Sequence, residues 1–300
     1  MPEGPEIYSF GVDLYRRIHN TYLLKIKLIS GKYKETKLPG SVLQSQNFRR
    51  NKRKAFKGYN LLRKILPSKI LSIETYGKIL IMKLEENYNL IFTFGMTGFI
   101  TFSNIKHNHI KFTTSKKIFY YNDQRNFGNI YLLKTEILVD KLKYLGPDLL
   151  NDNITFDIFK NQFNKFRDRF PEREICLLLF DQSFVTGIGN YLRSDILWLS
   201  KINPYCQLKD ITNNQLKILY YNSYNLIRYY ASIQIEPKII KKYINTNIIK
   251  SKLKYKLKYV PKDYDRDFFI YEQDIDIFSN KIIKDQFYGR SIYWTKKRQN

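Results

Sequence analysis

The chain is poor in residues that form disulfide bonds and metal sites. Its 300 residues include two cysteines, Cys176 and Cys206, and three histidines, His19, His107 and His109. Two cysteines are too few for a disulfide framework, and their separation does not match a zinc finger. His107 and His109 offer two metal ligands, but two polar residues that alternate along a strand are more often plain strand residues. We therefore expect no metal and no cofactor.

Long apolar runs are also missing. No stretch reaches the roughly 18 apolar residues of a membrane span. The first residues lack the basic and apolar regions of a signal peptide. We expect a soluble, intracellular protein without a membrane partner. A hydrophobic fraction of 43% over 300 residues suits one large domain or two modest ones.

Acidic residues are scarce relative to basic ones. Asp and Glu number 27 against 52 Lys and Arg, which gives a formal net charge of +25 at pH 7. A surplus of this size favours a polyanionic partner, above all nucleic acid. An AT-rich genome, which enriches Lys and Asn codons, is the competing explanation, and charge alone does not decide between the two. The basic segments at residues 47–57 and 250–259 either contact DNA or are merely solvated.

The first half of the chain has the pattern of a helix followed by many short strands. Residues 7–18 have roughly helical apolar spacing, and Pro5 and Glu6 before them suit a helix N-terminus. Short β-branched and apolar runs then recur between residues 22 and 133, separated by turn residues. This pattern predicts an N-terminal antiparallel β-sandwich that carries an N-terminal helix.

The second half has a different pattern. A polar stretch at 148–155 is typical of a linker, and helical patterns then extend to residue 233. Strand-like runs at 268–272, 281–284 and 291–294 predict a C-terminal β-hairpin. The fold class is therefore α+β. We place three domains at residues 1–147, 148–265 and 266–300.

The opening hexapeptide, MPEGPE, has residues suited to covalent catalysis. Once Met1 is removed, Pro2 presents a secondary amine, and an α-amino group has a pKa near ~8 against ~10.4 for lysine. Attack of such an amine on a sugar C1′ gives an iminium ion, which acidifies the neighbouring C2′ hydrogen. Glu3 and Glu6 are candidates for general acid/base catalysis. The alternative is a structural turn that caps a helix.

Three further turns have the composition of a nucleic-acid site. Asn190 follows a Gly-x-Gly turn and opens a helical pattern, a combination that favours phosphate binding. Met96 lies in a turn at 94–98, and Arg125 and Phe127 lie in a turn at 123–128, where side chains of these types can wedge into a base stack. The alternatives are a plain helix connection for Asn190, core packing for Met96 and Phe127, and a salt bridge for Arg125.

Taken together and in this order, these motifs resemble the Fpg/Nei family of DNA glycosylases. The resemblance extends over nearly the whole chain, through MPEGPE at 1–6, YGK at 76–78, FGMTG at 94–98, KHNH at 106–109, DQRNFG at 123–128, LGPD at 145–148 and TGIGNY at 186–191. The dipeptide DQ at 181–182 and the segment IGNYLR at 188–193 are most similar to the Nei-like branch. The resemblance implies that the helical region is a helix–two-turns–helix domain.

The resemblance also implies roles for the N-terminal residues and one lysine. Pro2 matches the Schiff-base nucleophile, and Glu3 matches the acid that protonates the sugar or the base. Glu6 would support that step. Lys78 matches a hairpin lysine that binds a phosphate beside the lesion and assists β-elimination.

Five other residues match positions that hold DNA. Met96, Arg125 and Phe127 match the void-filling residues that replace the flipped base. His107 matches a histidine at the DNA backbone. Asn190 matches the asparagine that binds a DNA phosphate.

The C-terminus departs from many relatives, which carry a four-cysteine zinc finger there. This chain has no cysteine after Cys206. Residues 288–294 nevertheless resemble the second strand of the finger, as in the zincless finger of some Nei-like enzymes. Arg290 would then hold phosphate and assist δ-elimination. The loop that reads the lesion is expected between residues 235 and 266.

The function implied is a bifunctional DNA glycosylase/AP lyase of base excision repair. It would remove oxidised pyrimidines and ring-opened purines from double-stranded DNA, act on abasic sites, and cut the strand by β,δ-elimination. We expect a monomer. A non-catalytic DNA-binding protein on the same fold is the main alternative, and an RNA-binding accessory protein is a weaker one.

Overall fold

The computed structural model describes residues 2–34, 56–150, 154–234 and 268–299. The chain divides into two compact units. The first comprises Met1–Pro2 and Glu6–Lys143, and the second comprises Glu3–Pro5 and Tyr144–Asn300. The basic segment at 250–259, most of that at 47–57 and the expected lesion-reading loop lie outside the described residues. Within the described ranges, no helix has the length and apolar character needed to cross a membrane.

Helix α1, Gly4–Ile18, begins three residues earlier than the sequence predicts. Proline at the second position of a helix is tolerated because the amide there has no intrahelical partner. Ile7, Leu14 and Ile18 are buried in the core of the first unit. Gly11 faces Thr75, and a Cβ at this position would lie 2.8 Å from the Thr75 methyl carbon. The glycine therefore lets the helix approach the sheet closely.

Among the described residues of the first unit, nine strands form one sheet, in the order β2-β9-β5-β4-β3-β1-β7-β8-β6. Neighbours are antiparallel except β2 and β9, which are parallel. Two short helices accompany the sheet, α2 at Tyr59–Ile65 and α3 at Thr135–Leu142. The strands are β1 Tyr22–Leu28, β2 Phe56–Lys57, β3 Ser68–Tyr76, β4 Ile79–Leu84, β5 Tyr88–Thr93, β6 Gly98–Thr101, β7 Asn108–Thr114, β8 Ile118–Asp123 and β9 Asn129–Lys134.

The sheet folds over one large core, and a smaller apolar cluster packs separately from it. Phe92 on β5 and Phe112 on β7 have ring centroids 5.6 Å apart, although three strands separate β5 from β7 in the sheet. Phe112 also stacks on Phe119 of β8 at 4.6 Å. Strand β1 pairs with both β3 and β7 and joins the two halves. The predicted sandwich is therefore present as two layers of one continuous sheet.

Four helices dominate the second unit: α4 Phe156–Arg169, α5 Ile175–Phe180, α6 Asn190–Ser200 and α7 Asn213–Ile233. Thr155 caps α4 by accepting a hydrogen bond from the amide of Ile158. Thr212 and Gln215 form a reciprocal capping box at α7. Helix α6 is almost wholly buried, including Arg193 and Asp195.

Residues 148–150 differ from the exposed linker that the sequence predicts. Asp148, Leu149 and Leu150 are all buried. The Arg228 guanidinium donates hydrogen bonds to the carbonyls of Leu149 and Leu150. Because these backbone acceptors find an internal donor, the segment packs inside the second unit rather than crossing solvent.

The C-terminal hairpin is confirmed, with strands β10 at Ile283–Phe287 and β11 at Arg290–Trp294. Tyr288 and Gly289 form its two-residue turn, and both have positive φ, as a type I′ turn requires. The strand predicted at 268–272 is wrong. The amides of Phe269, Ile270 and Tyr271 donate to the buried carboxylate of Asp195 rather than to a neighbouring strand.

Candidate active site and nucleic-acid interface

The Glu3 carboxylate lies at the N-terminus of helix α6. It accepts hydrogen bonds from the backbone amides of Gly189 at 2.6 Å, Tyr191 at 3.0 Å and Leu192 at 3.3 Å. Glu3 is 1% exposed, and the adjacent Gly4 amide donates to the Gly187 carbonyl at 2.8 Å. The first amides of a helix lack intrahelical acceptors and favour negative charge. Glu3 is therefore fixed in position by the helix.

Gly189 is a glycine because Glu3 occupies the space of a side chain. A Cβ at Gly189 would lie 2.3 Å from Cδ and Oε1 of Glu3. Gly187 has a φ of 101°, a conformation that also favours glycine. The sequence suggests that this turn approaches a phosphate. In the structure, the amides at 189, 191 and 192 bind the protein's own carboxylate.

The side-chain amide of Asn190 is oriented by Arg193. Nη2 of Arg193 donates to Oδ1 of Asn190 at 3.2 Å and to the carbonyl of Ser291 on β11 at 3.2 Å. Because its oxygen accepts from Arg193, the Asn190 amide has its NH2 group left to donate to a ligand. A partly buried NH2 group at a helix N-terminus is a good donor to a phosphate.

Two arginines contact the same aromatic ring, and one of them is the Arg193 that binds Asn190. The guanidinium carbons of Arg193 and Arg290 are 5.2 Å and 5.4 Å from the centroid of the same Phe180 ring. Arg193 is 1% exposed, and its Nε has no hydrogen-bond partner among the described residues. Burial lowers the pKa of Arg193, and the neighbouring charge of Arg290 acts in the same direction. The Glu3 carboxylate already opposes this effect, and an anion bound here would add to that opposition, so the arrangement suits a phosphate.

Pro2, Glu6 and Lys78 belong to the first unit. Pro2 precedes α1 and is partly exposed, and Glu6 lies in the first turn of α1, where a carboxylate is favoured. Tyr76 pairs with Ile79 across β3 and β4, which makes Gly77 and Lys78 the two-residue turn of that hairpin. Gly77 has a φ of 55°. Lys78 is thus carried on a short, well-defined turn.

The three candidate void-filling residues lie on neighbouring loops of the first unit. Phe127 is 53% exposed, which excludes the core-packing alternative for it. The Arg125 guanidinium carbon lies 4.8 Å from the centroid of the Phe127 ring, and Arg125 is exposed. Met96 is partly buried on the loop between β5 and β6. An exposed aromatic ring beside a cation has the composition of a base-stack wedge.

The two histidines at the start of β7 differ in environment. His107 is partly exposed with a φ of 66°, whereas His109 is 3% exposed. The His109 ring bonds to the Ser30 hydroxyl at 2.8 Å and to the Asp123 carbonyl at 2.7 Å. Burial lowers the pKa of His109, which keeps the ring neutral. Within the described part of the chain, no group of three His, Cys, Asp or Glu residues is placed to hold a metal ion.

Two residues with the positional roles described above, Gly189 and Arg193, are absent from the sequence-based assignment. Arg193 stands out in the sequence as a cation in the otherwise weakly charged helix that follows Gly-Ile-Gly-Asn. The partner of Gly189 is 186 residues away, so spacing does not reveal that contact. Arg193 and Asn190 are three residues apart at the start of one helix, a spacing that brings side chains together and could have indicated their contact.

Family models match most of the chain. The formamidopyrimidine-DNA glycosylase N-terminal domain matches residues 1–130, and the formamidopyrimidine-DNA glycosylase H2TH domain matches residues 145–242. The second match confirms the helix–two-turns–helix prediction. The Nei-like branch and the zincless finger stay predictions.

Similar proteins agree with these matches. A formamidopyrimidine-DNA glycosylase of Rickettsia bellii (strain OSU 85-389) is 28% identical over 277 residues, which cover 88% of this chain and 94% of the relative. That of Rickettsia massiliae (strain Mtu5) is 30% identical over 192 residues, covering 61% and 66%.

Solved structures show the same fold. The Lactococcus lactis formamidopyrimidine-DNA glycosylase bound non-covalently to DNA containing an AP site has a TM-score of 0.72 at 20% identity and covers 99% of both chains. A mutant of the same enzyme in complex with DNA containing Fapy-dG has a TM-score of 0.75 at 20% identity and covers 100% of both chains. The chain belongs to the formamidopyrimidine-DNA glycosylase (Fpg) family, whose members are DNA glycosylases of base excision repair.

Proposed function

We propose that this protein is a bifunctional DNA glycosylase/AP lyase that excises oxidised bases, both oxidised pyrimidines and ring-opened purines, from double-stranded DNA. It then cuts the strand by β,δ-elimination. The observation that carries the proposal is the fixation of the Glu3 carboxylate by three amides of helix α6. Pro2 precedes Glu3 by one peptide bond, which spans about 3.8 Å between Cα atoms. The candidate nucleophile is therefore attached to a rigid point.

Covalent catalysis begins after removal of Met1. The Pro2 nitrogen forms a bond to C1′ of the damaged nucleotide, and the bond from C1′ to the base breaks with its electron pair leaving on the base. Glu3 accepts the proton that the amine loses and passes it to O4′ as the sugar ring opens, which leaves an iminium ion. Glu6 assists this transfer. The departing base takes up a proton from solvent.

Strand cleavage follows from the acidity of the iminium. Loss of the C2′ proton expels the 3′ phosphate by β-elimination, with Lys78 assisting. Loss of the C4′ proton then expels the 5′ phosphate by δ-elimination, with Arg290 assisting. Water hydrolyses the remaining iminium and returns the free Pro2 amine.

Binding to DNA rests on phosphate contacts and on a wedge. Asn190, Arg290 and Lys78 are proposed to hold phosphates, and His107 to contact the backbone. Such contacts are largely independent of sequence and weaken as salt increases. Met96, Arg125 and Phe127 are proposed to fill the space left by the extruded base, which offsets part of the unstacking cost of a few kcal/mol.

The remaining assignments belong to the same proposal. Residues 1–147 form the catalytic domain, 148–265 the helix–two-turns–helix domain and 266–300 a finger of the zincless, Nei-like type. The protein acts as an intracellular monomer. The support for the finger is the resemblance of residues 288–294 to a finger strand, and the contact of Arg193 with Ser291 of that strand.

Borohydride trapping tests the covalent step. The wild-type protein, with Met1 removed, is incubated with duplex DNA that contains an abasic site, and the reduced adduct is measured. We expect an adduct whose reduced cross-link maps to Pro2 by peptide mass spectrometry, and that persists in Pro5→Ala, a matched proline substitution three residues away. A cross-link that maps to a lysine instead of the N-terminal residue would overturn the assignment of the nucleophile. DNA binding by the wild type without any adduct would identify a non-catalytic DNA-binding protein.

A further inference from the structure

One buried carboxylate joins the two loops that carry Met96, Arg125 and Phe127. Asp123 is the last residue of β8 and is fully buried. Its Oδ1 accepts a hydrogen bond from the Thr97 hydroxyl at 2.7 Å, in the loop of Met96. Its Oδ2 accepts one from the Gly128 amide at 2.8 Å, in the loop of Arg125 and Phe127.

The Thr97 hydroxyl makes a second bond between the loops. While it donates to Asp123, its oxygen accepts a hydrogen bond from the Arg125 amide at 3.0 Å. Gly95 adds a steric contact, because a Cβ at this position would lie 2.7 Å from Cβ of Phe127. The loops are therefore held at a fixed separation by hydrogen bonds and by close packing.

Backbone hydrogen bonds of Asp123 connect these two loops to the sheet. Its amide donates to the His107 carbonyl at 3.2 Å, and its carbonyl accepts from the Asn126 amide at 3.0 Å. The same carbonyl contacts the His109 ring at 2.7 Å. A buried carboxylate is costly unless its oxygens are hydrogen-bonded, and here the donors come from the two loops.

We propose that Asp123 and Thr97 are positioning residues that hold Met96, Arg125 and Phe127 as one rigid wedge. The inference rests on the proposed glycosylase function. Each of these side chains lies on a loop, and a separately mobile loop must be ordered when it enters the base stack. Loops that are already joined lose less conformational entropy on insertion.

The test compares one abasic site in two settings, a duplex and a single strand. Only the duplex has a base stack and an opposite base that the wedge must engage. Thr97→Val removes the hydroxyl but keeps the shape of the side chain, and Thr97→Ser restores the hydroxyl. Thr101→Val is the matched control. Thr101 is the last residue of the neighbouring strand β6, and its hydroxyl accepts a hydrogen bond from the Ser103 amide. It takes no part in the hydrogen bonds from Thr97 and Asp123 that connect the two loops.

Single-turnover borohydride trapping gives the rate for each substrate. We expect Thr97→Val to lower the duplex rate by about tenfold, since two hydrogen bonds between the loops are lost. We expect its single-strand rate to stay within about twofold of wild type, because the catalytic residues are unchanged. Thr97→Ser and Thr101→Val should match wild type on both substrates.

Other outcomes separate this inference from the proposed function. Absence of an adduct with wild type on both substrates refutes the covalent mechanism itself. An active wild type with equal loss, or no loss, on the two substrates in Thr97→Val refutes the wedge inference alone. If Thr97→Val does not fold, as judged by its melting curve, Asp123→Asn takes its place. That variant keeps an oxygen for the Gly128 amide but leaves the Thr97 hydroxyl without a carboxylate, and the same selective loss is required.

Discussion

Replacement of Gly189 by alanine is a sharp test of the site because it changes no catalytic side chain. The added Cβ would lie 2.3 Å from Cδ and Oε1 of Glu3, whereas ordinary contacts begin near 3.4 Å. The carboxylate must therefore move by about 1 Å, the difference between these two distances. The amide of Gly189, now 2.6 Å from Glu3, would then be beyond hydrogen-bonding distance.

This displacement should lower both the stability of the protein and the rate of the covalent reaction. A hydrogen bond to a charged group contributes about 1.5–3 kcal/mol, so weakening one or two of the three bonds to Glu3 destabilises the protein by about 3 kcal/mol. At roughly 2–4 °C per kcal/mol, the melting temperature should fall by about 10 °C. A displacement of about 1 Å at a reacting group lowers the rate by about 100-fold.

Thermal unfolding and single-turnover trapping on abasic duplex DNA measure the two effects. The double variant Glu3→Ala/Gly189→Ala is the control, because without the carboxylate the new methyl group has nothing to displace. The stability cost of Gly189→Ala should therefore be much smaller in the Glu3→Ala background than in wild type. If Gly189→Ala has the melting temperature and the trapping rate of the wild type, the reasoning is refuted.

Two further predictions concern Arg193 and His109. Arg193→Met removes the donor that orients the Asn190 amide, so affinity for abasic duplex DNA should fall by about tenfold, measured by titration at fixed salt. Retention of wild-type affinity would show that Asn190 needs no such support. Burial lowers the pKa of His109 in the folded protein, so His109 contributes stability above the unfolded pKa of about 6.5 that is lost as the pH falls through the folded pKa. Melting temperatures from pH 8 to pH 5 should fall more steeply for wild type than for His109→Gln, and parallel curves would contradict this assignment.

Much of the fold follows from local patterns in the sequence. The short apolar and β-branched runs of β3 to β5 and the helical spacing of α1 each depend on near neighbours, so the sequence predicts both. The segment at 268–272 has the same aromatic, β-prone composition, yet it forms no strand because the Asp195 carboxylate takes its amides. Composition does not reveal a partner that is about 75 residues away in the chain.

Sequence patterns predict only part of the candidate site, for the same reason. Pro2 and Asn190 follow from short motifs with a chemical rationale, whereas Lys78 follows from the family resemblance. The carboxylate of Glu3 also follows from its motif, but its binding by amides of α6 does not, since 186 residues separate it from Gly189. Asp123 and Thr97 likewise meet across two loops, and only the pairing of β6 with β8 brings them together.

Helix α6 has a consequence for how this protein tolerates mutation. Its residues from Tyr191 to Ser200 are all buried, so the helix has no solvent-facing stripe. A surface helix accepts substitutions at every third or fourth position, and its tolerance profile is periodic. Here every position fills space or carries a specific contact. A saturation scan would show an unbroken block of intolerant positions, so we expect this segment to change little as the lineage diverges.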